Sequence, residues 1–213
     1  MSLGILGGTF NPIHRAHLRL GEVARIELGL ARVLFVVAGD PPLKRSQVAP
    51  AHHRLAMVAL ALAHQAHFEV SDLELRRAGR SYTVDTLSAL RRQHPGEALW
   101  FLLGADSLAQ LDEWYAPERL FELASFAVVQ RPGTAAGLEV LVPRRLAEGF
   151  EPETDACWRH RSGHELRVLP FDPLDVSATE VRRRVMRGRP IDDLVPQEVA
   201  AYIAEHQLYQ EAA

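Results

Sequence analysis

Gly7-Gly8-Thr9-Phe10-Asn11-Pro12-Ile13-His14-Arg15-Ala16-His17 separates a short apolar run, Leu3 to Leu6, from a helical pattern, Ala16 to Leu28. An apolar run this short, closed by paired glycines, reads as a buried strand. The glycines let backbone amides approach a ligand closely and permit unusual dihedrals. The following helix points its N-terminal amides and positive dipole end back toward the same loop. Strand, glycine turn and helix start together form an anion site suited to phosphate. A second buried strand, Val33 to Val37, completes a βαβ unit, which implies a parallel sheet with a right-handed crossover.

Outward from that unit, short apolar runs keep alternating with helical patterns. Pro50 to Ala66 reads as a helix, Phe68 to Val70 as a short strand and Thr83 to Gln93 as a helix. Leu99 to Leu103 is an apolar strand ending in Gly104, Ala105 and Asp106. A helix over Pro117 to Leu123 precedes the strand Phe126 to Gln130, and Leu166 to Leu169 is a further strand. Two closing helices, Thr179 to Met186 and Gln197 to His206, follow, the second with Pro196 near its first turn. The alternation predicts an α/β fold: a Rossmann-like, doubly wound parallel sheet with C-terminal helices, in a single domain over residues 1–213. The ligand is then expected at the carboxyl ends of the strands.

Bulk properties narrow the class. A chain of 213 residues buries one good core, and 47% hydrophobic with 24% charged residues is ordinary for a globular protein. A net charge of -3 supplies no broad basic face, which argues against a dedicated nucleic-acid binder. Arg182, Arg183, Arg184, Arg187 and Arg189 still make a local basic cluster. With one cysteine, Cys157, no internal disulfide can form, and the chain fits a reducing compartment. Gly7 follows too soon for a signal-peptide apolar region. The longest apolar stretch, Leu55 to Ala63, is far short of the about 20 residues that span a bilayer. A cytoplasmic enzyme acting on small molecules is expected, with no membrane or nucleic-acid partner; homo-oligomerisation is left open.

The first loop is neither a dehydrogenase G-x-G-x-x-G nor a P-loop. Its two histidines, His14 and His17, are spaced to share one face of a first helical turn and donate to one phosphate chain. His64 and His67 repeat the spacing with nothing phosphate-like around them, and a surface position at a helix end is expected there. Cys157, His160 and His164 have spacings that suit zinc, but only Asp155 offers a fourth ligand nearby. A solvated loop is the expectation there, and no metal site is assigned. The surrounding stretch, Pro132 to His164, reads as irregular.

The segment from Gly7 to His17 resembles the signature of the H-x-G-H nucleotidylyltransferase superfamily, with Asn11 where Asp is usual and Ala16 where Gly is usual. Its members couple a phosphate acceptor to the α-phosphate of a nucleoside triphosphate and release pyrophosphate. Five further segments resemble, in order, those of bacterial nicotinate-nucleotide adenylyltransferases. Gly39-Asp40-Pro41-Pro42-Leu43-Lys44-Arg45 is similar to the P-P-H-K loop, with Leu43 in place of histidine; read alone it favours a solvated basic turn. Ser81-Tyr82-Thr83-Val84-Asp85-Thr86-Leu87 is similar to S-Y-T-x-D-T-L, which in the family helps recognise the nicotinate carboxylate. It opens a helix whose free amides can grip an anion, and helix capping by Ser81 or Thr83 is the plainer reading. Leu103-Gly104-Ala105-Asp106-Ser107 is similar to G-x-D-S, where Asp106 would meet ribose hydroxyls or else cap the next helix. Trp114 and Tyr115 match an aromatic pair that lies against the nicotinate ring, though paired aromatics are also common in cores. Val176-Ser177-Ala178-Thr179-Glu180-Val181-Arg182 is similar to I-S-[SA]-T-x-I-R, a hydroxyl-rich helix start with a capping-box pattern from Ser177 to Glu180. The tail through Leu208 and Tyr209 also resembles the family's closing helix, so the likeness touches nearly the whole chain.

The resemblance implies the reaction of nicotinate mononucleotide with ATP to give deamido-NAD and pyrophosphate, in NAD biosynthesis. The acceptor's own phosphate attacks the α-phosphorus in line, so no covalent enzyme intermediate is needed. It implies an ATP site at Gly7, Gly8, Thr9, Phe10, His14, His17, Gly104, Asp106, Ser177, Thr179 and Arg182. His14 then serves the α-phosphate, and His17 the transition state and departing pyrophosphate. Lys44 and Arg182 neutralise charge, and Lys44, Tyr82, Thr83, Trp114 and Tyr115 meet the nicotinate nucleotide. Magnesium is expected to arrive with ATP, since no dedicated carboxylate cage is visible. The alternatives are a nicotinamide mononucleotide or pantetheine-phosphate adenylyltransferase, or a non-catalytic nucleotide-sensing module.

Overall fold

The computed structural model describes residues 1–41, 48–130, 137–172 and 174–210. Among them the strands are β1 (Ser2–Gly8), β2 (Arg32–Val37), β3 (Phe68–Ser71), β4 (Ala98–Gly104), β5 (Ser125–Gln130), β6 (Phe150–Thr154), β7 (Cys157–His160) and β8 (Glu165–Pro170). The helices are α1 (Arg15–Glu27), α2 (Ala51–Leu62), α3 (Thr83–Gln93), α4 (Ala105–Ala109), α5 (Pro117–Leu123), α6 (Leu138–Leu141), α7 (Arg144–Ala147), α8 (Ala178–Met186) and α9 (Gln197–Glu205). A short 3-10 turn covers Leu111–Glu113. The residues group into two compact units. The first comprises Met1–Gly7, Leu20–Val33 and Tyr82–Asp172, and the second Gly8–Arg19, Leu34–Ser81 and Pro173–Ala213.

The first unit is built on strands in the order β1-β4-β5-β8-β7-β6. The first four run parallel, with Ile5 opposite Phe101, Phe101 opposite Phe126 and Val128 opposite Val168. Parallel strands are covered on both faces and so need near-continuous apolar runs, which β4 and β5 supply. Gly4 has no room for a side chain, because a Cβ there would lie 2.8 Å from Leu30 Cδ1. On α3 the buried residues Val84, Leu87 and Leu90 fall at helical spacing, and α3 packs beside α5. Asp85 in its first turn and Arg91 and Arg92 in its last suit the helix dipole.

Residues Pro132 to His164, expected to be irregular, hold two short helices and two strands among the described residues. β6 and β7 form an antiparallel pair, Phe150 opposite His160, and β7 joins β8 antiparallel, Trp158 opposite Leu166. β6 reads Phe-Glu-Pro-Glu-Thr with only Phe150 buried, so it shows neither alternation nor an apolar run. A proline and two glutamates suit a strand at a sheet edge, where an exposed backbone must not recruit another chain. The solvated loop expected around Cys157 and His160 is instead strand β7, with both side chains buried. The Cys157 thiol lies 3.6 Å from Glu153 Oε2, and burial pushes its pKa up. His160 is buried against Phe121 and Phe150, with Nδ1 2.8 Å from Ser162 Oγ. No cluster suited to a metal ion occurs among the described residues.

In the second unit β2 lies beside β3, and α2 packs on both β3 and α9. The buried stripe of α2 is Arg54, Met57, Val58, Ala61 and Leu62, an arginine heading an otherwise apolar face. α9 contributes Val199 and Ile203 to this core. His64 and His67 follow α2 and are exposed, as their surroundings suggested. No helix among the described residues is long and apolar enough to cross a membrane.

Candidate active site

The second unit contains the loop from Gly8 to His17. The Gly8 carbonyl accepts a bond from the Ala38 amide at 2.9 Å, tying the end of β1 to the exit of β2. Phe10 then adopts φ +46°, a left-handed conformation that costs a non-glycine residue about 1–3 kcal/mol and persists only when its surroundings impose it. What imposes it is burial: the Phe10 ring is 2% exposed, lies 5.9 Å from Phe35 and meets His17 edge-on at 5.1 Å. Gly8 accommodates that ring, since a Cβ there would sit 3.0 Å from two of its carbons.

His14 and His17 come together at the start of α1. Their rings stack with centroids 3.7 Å apart, and the His14 amide donates to His17 Nδ1 at 3.2 Å. An Nδ1 that accepts leaves the proton of a neutral imidazole on Nε2, so the tautomer of His17 follows from its bonding. The His17 amide donates back to the His14 carbonyl at 3.0 Å, closing the turn. Arg15 anchors the same turn, its amide donating to the Leu194 carbonyl and its Nη2 to the Asp192 carbonyl.

Asn11 gathers contacts from distant parts of the chain. Its Oδ1 accepts from the Ala49 amide at 3.0 Å and from the Tyr209 hydroxyl at 2.9 Å. Its carbonyl accepts from Arg182 Nη1 at 2.7 Å, while Arg182 Nη2 reaches Thr179 Oγ1 at 3.3 Å. Ser177 caps α8 by accepting from the Glu180 amide at 3.2 Å. The expected capping box is half formed: the Glu180 carboxylate turns instead to Arg183 and Arg184.

Beneath the loop lies Arg54, 1% exposed, whose guanidinium no feature of the motifs singles out. Nη1 donates to the carbonyls of Thr9 at 2.8 Å and Ala38 at 2.7 Å, Nε to Ala49 at 2.9 Å and Nη2 to Gly39 at 3.2 Å. Burial pushes its pKa below the usual arginine value, with Tyr209 and Glu74 acting in the opposite sense. One planar fork thus pins the loop after β1 and the turn after β2.

That turn is Gly39-Asp40. Ser81 Oγ accepts from the amides of Gly39 at 2.9 Å and Asp40 at 3.2 Å, and the Ser81 amide donates to the Asp40 carbonyl. Ser81 therefore clamps this turn and does not cap α3, whose N-cap residue is Tyr82. Lys44 lies outside the described residues. A Cβ on Gly39 would sit 2.7 Å from the Glu74 carbonyl oxygen. Gly39→Ala should therefore cost about 1–3 kcal/mol by overpacking, a fall in Tm of roughly 2–12 °C for a chain of this length. Thermal unfolding followed by circular dichroism checks it, and an unchanged Tm would show that the turn yields freely.

The first unit holds the remaining residues of interest. The Tyr82 and Tyr115 rings pack as a tilted pair, with centroids 4.6 Å apart and planes at 33°, and Tyr115 is 59% exposed. Trp114 is half-buried and meets Phe101 edge-on at 6.1 Å; its own amide donates to the Leu111 carbonyl at 3.0 Å. Tyr82 provides no side-chain cap to α3, whose first amides, at Thr83 and Val84, have no carbonyl partner within the helix. Gly104 is the N-cap of α4, so Asp106 stands inside that short helix, exposed, and does not cap it. Gly7 closes this unit's share of β1 and is exposed.

Residues 5–184 match the family described as cytidylyltransferase-like. A probable nicotinate-nucleotide adenylyltransferase of Trichlorobacter lovleyi is 44% identical over 212 residues, covering 99% of this chain and 100% of the relative. One of Syntrophotalea carbinolica is 45% identical over 213 residues, covering 99% and 98%. Among solved structures, Plasmodium falciparum nicotinic acid mononucleotide adenylyltransferase complexed with NaAD superposes with a TM-score of 0.72. It covers 98% of this chain and 97% of its own, at 19% identity, which speaks to the fold alone.

Proposed function

The chain belongs to the nicotinate-nucleotide adenylyltransferase family, and from that premise we propose how its own residues serve the reaction. The activity is adenylyl transfer from ATP to nicotinate mononucleotide in NAD biosynthesis. An oxygen of the acceptor's phosphate bonds to the α-phosphorus as the bond to the β-phosphate oxygen breaks, and pyrophosphate departs. No protein nucleophile is required, so catalysis reduces to positioning and to stabilising charge on the phosphates.

The observation that carries the reading is the stacked His14/His17 pair at the start of α1, with His17 Nδ1 engaged by the His14 amide. Nε2–H of His17 is the donor we assign to the transition state and the departing pyrophosphate, and His14 serves the α-phosphate. Gly7, Gly8, Thr9 and Phe10 supply the backbone around the phosphates. Arg182, with Ser177 and Thr179 at the start of α8, and Lys44 neutralise the triphosphate. Gly104 and Asp106 meet the ATP ribose, while Tyr82, Thr83, Trp114 and Tyr115 receive the nicotinate nucleotide. Magnesium is a hard cation that prefers oxygen ligands, and the described residues offer it no cluster. When bound it would be held by the triphosphate and water, and would supply neutralisation of phosphate charge. The reading includes a cytoplasmic setting with small-molecule substrates.

Preference for the acid over the amide acceptor follows from donors at a helix start facing a carboxylate, here the amides of Thr83 and Val84 with those near Tyr115. A hydrogen bond to a charged partner contributes about 1.5–3 kcal/mol, so losing two lowers kcat/KM more than about a hundredfold. Chromatography of products from ATP, magnesium and either mononucleotide tests this. Deamido-NAD from the acid with far less NAD from the amide is expected. Equal kcat/KM values would remove the carboxylate reading, and turnover of neither acceptor would remove the adenylyl-transfer reading.

A further inference from the structure

Tyr209 lies beyond the end of α9, and the chain reaches it through two left-handed residues, Gln207 at φ +51° and Tyr209 itself at φ +63°. Neither is glycine, so the tail accepts unfavourable backbone geometry to turn back on itself. Leu208 is buried between them, its amide bonded to the Ile203 carbonyl at 3.0 Å. The turn delivers the Tyr209 hydroxyl to Asn11 Oδ1 at 2.9 Å, and burial holds its pKa above the usual tyrosine value, so it remains a donor. Asn11 is 4% exposed and immediately follows Phe10, the left-handed residue of the phosphate loop. Its Oδ1 takes both the tail hydroxyl and the Ala49 amide, while its carbonyl takes Arg182.

We propose that Tyr209 is a positioning residue for adenylyl transfer: its hydroxyl fixes Asn11 and thereby the loop that presents His14 and His17. The inference rests on the reading of that loop as the phosphate-handling element. The tail would touch no substrate and would act through Asn11. A loop displaced by a fraction of an ångström still binds nucleotide through its amides but aims Nε2–H of His17 poorly, so the loss falls on turnover.

Tyr209→Phe keeps the buried ring and deletes the hydroxyl. Tyr202→Phe is the control: Tyr202 lies on α9, and its hydroxyl is 2.9 Å from Nδ1 of His53 on α2. In the full-length enzyme, Tyr209→Phe should lower kcat about ten- to thirtyfold with KM for both substrates within about threefold. Hydrogen exchange of the peptide spanning residues 8–17 should quicken in that variant alone. Tyr202→Phe should leave kcat and the loop's exchange as in wild type. The proposal is overturned by a Tyr209→Phe enzyme with wild-type kcat, by a change in KM alone, or by an equal loss in Tyr202→Phe. A wild-type chain that turns over neither mononucleotide would instead sink the functional reading, and loop exchange would still decide whether Tyr209 holds the loop.

Discussion

His17→Ala will lower kcat by about 10²–10³-fold, the loss associated with one preorganised donor to a developing oxyanion. KM for ATP should move less than about tenfold, because the paired glycines and the start of α1 retain their amides. The distinction rests on geometry. His17 Nδ1 accepts from the His14 amide and its ring is braced by His14 and Phe10, so its Nε2 is held in one direction. Charge that grows on the phosphates only in the transition state then finds a donor already oriented, which stabilises that state more than the ground state. His17→Asn, which can still offer an N–H from a shorter side chain, should recover part of the loss. Steady-state kinetics with both variants decides the matter. A His17→Ala enzyme within about fivefold of wild-type kcat would remove His17 from the chemistry.

The elements that carry this argument differ in how openly the sequence displays them. β1, α1 and β2 are legible because an apolar run, paired glycines and a helical stripe are each local signals. Helices α3 and α5 begin and end where the sequence reading places them, at Thr83 to Gln93 and Pro117 to Leu123. The histidine pair is legible for the same reason, since both residues stand at the start of α1, a few residues past the glycines. The hairpin of β6 and β7 is not, because an edge strand exposes most of its residues and carries no alternation to detect. Ser81 illustrates a different limit. Its place before a helix suggested a cap, yet its hydroxyl serves the Gly39-Asp40 turn some forty residues earlier, a contact that only the folded chain creates. Tyr209 and Arg182 meet Asn11 across even longer separations.

Arg54 is the strongest case of such concealed function, although one sign of it was present. It occupies the first position of the stripe continued by Met57, Val58, Ala61 and Leu62, and a charge on a buried face demands partners. The partners are backbone carbonyls of Thr9, Ala38, Gly39 and Ala49, which no side-chain motif can reveal. Removing the fork leaves these acceptors facing a space that Met can fill but not satisfy, at about 1–3 kcal/mol for each one left buried and unbonded. Arg54→Met is therefore expected to destabilise the protein by about 4 kcal/mol in all, lowering Tm by roughly 8–16 °C. Arg54→Lys keeps the charge but replaces a planar fork by a single ammonium that cannot span all four carbonyls, and more than half of the loss should remain. Because two of those carbonyls border the phosphate loop and the turn after β2, kcat/KM should fall in both variants even at temperatures where they stay folded. Thermal unfolding with kinetics at 15 °C separates the two effects. A fall in Tm below about 2 °C for Arg54→Met would mean that the carbonyls find other donors, and the arginine would then be an occupant of the core and no longer its organiser.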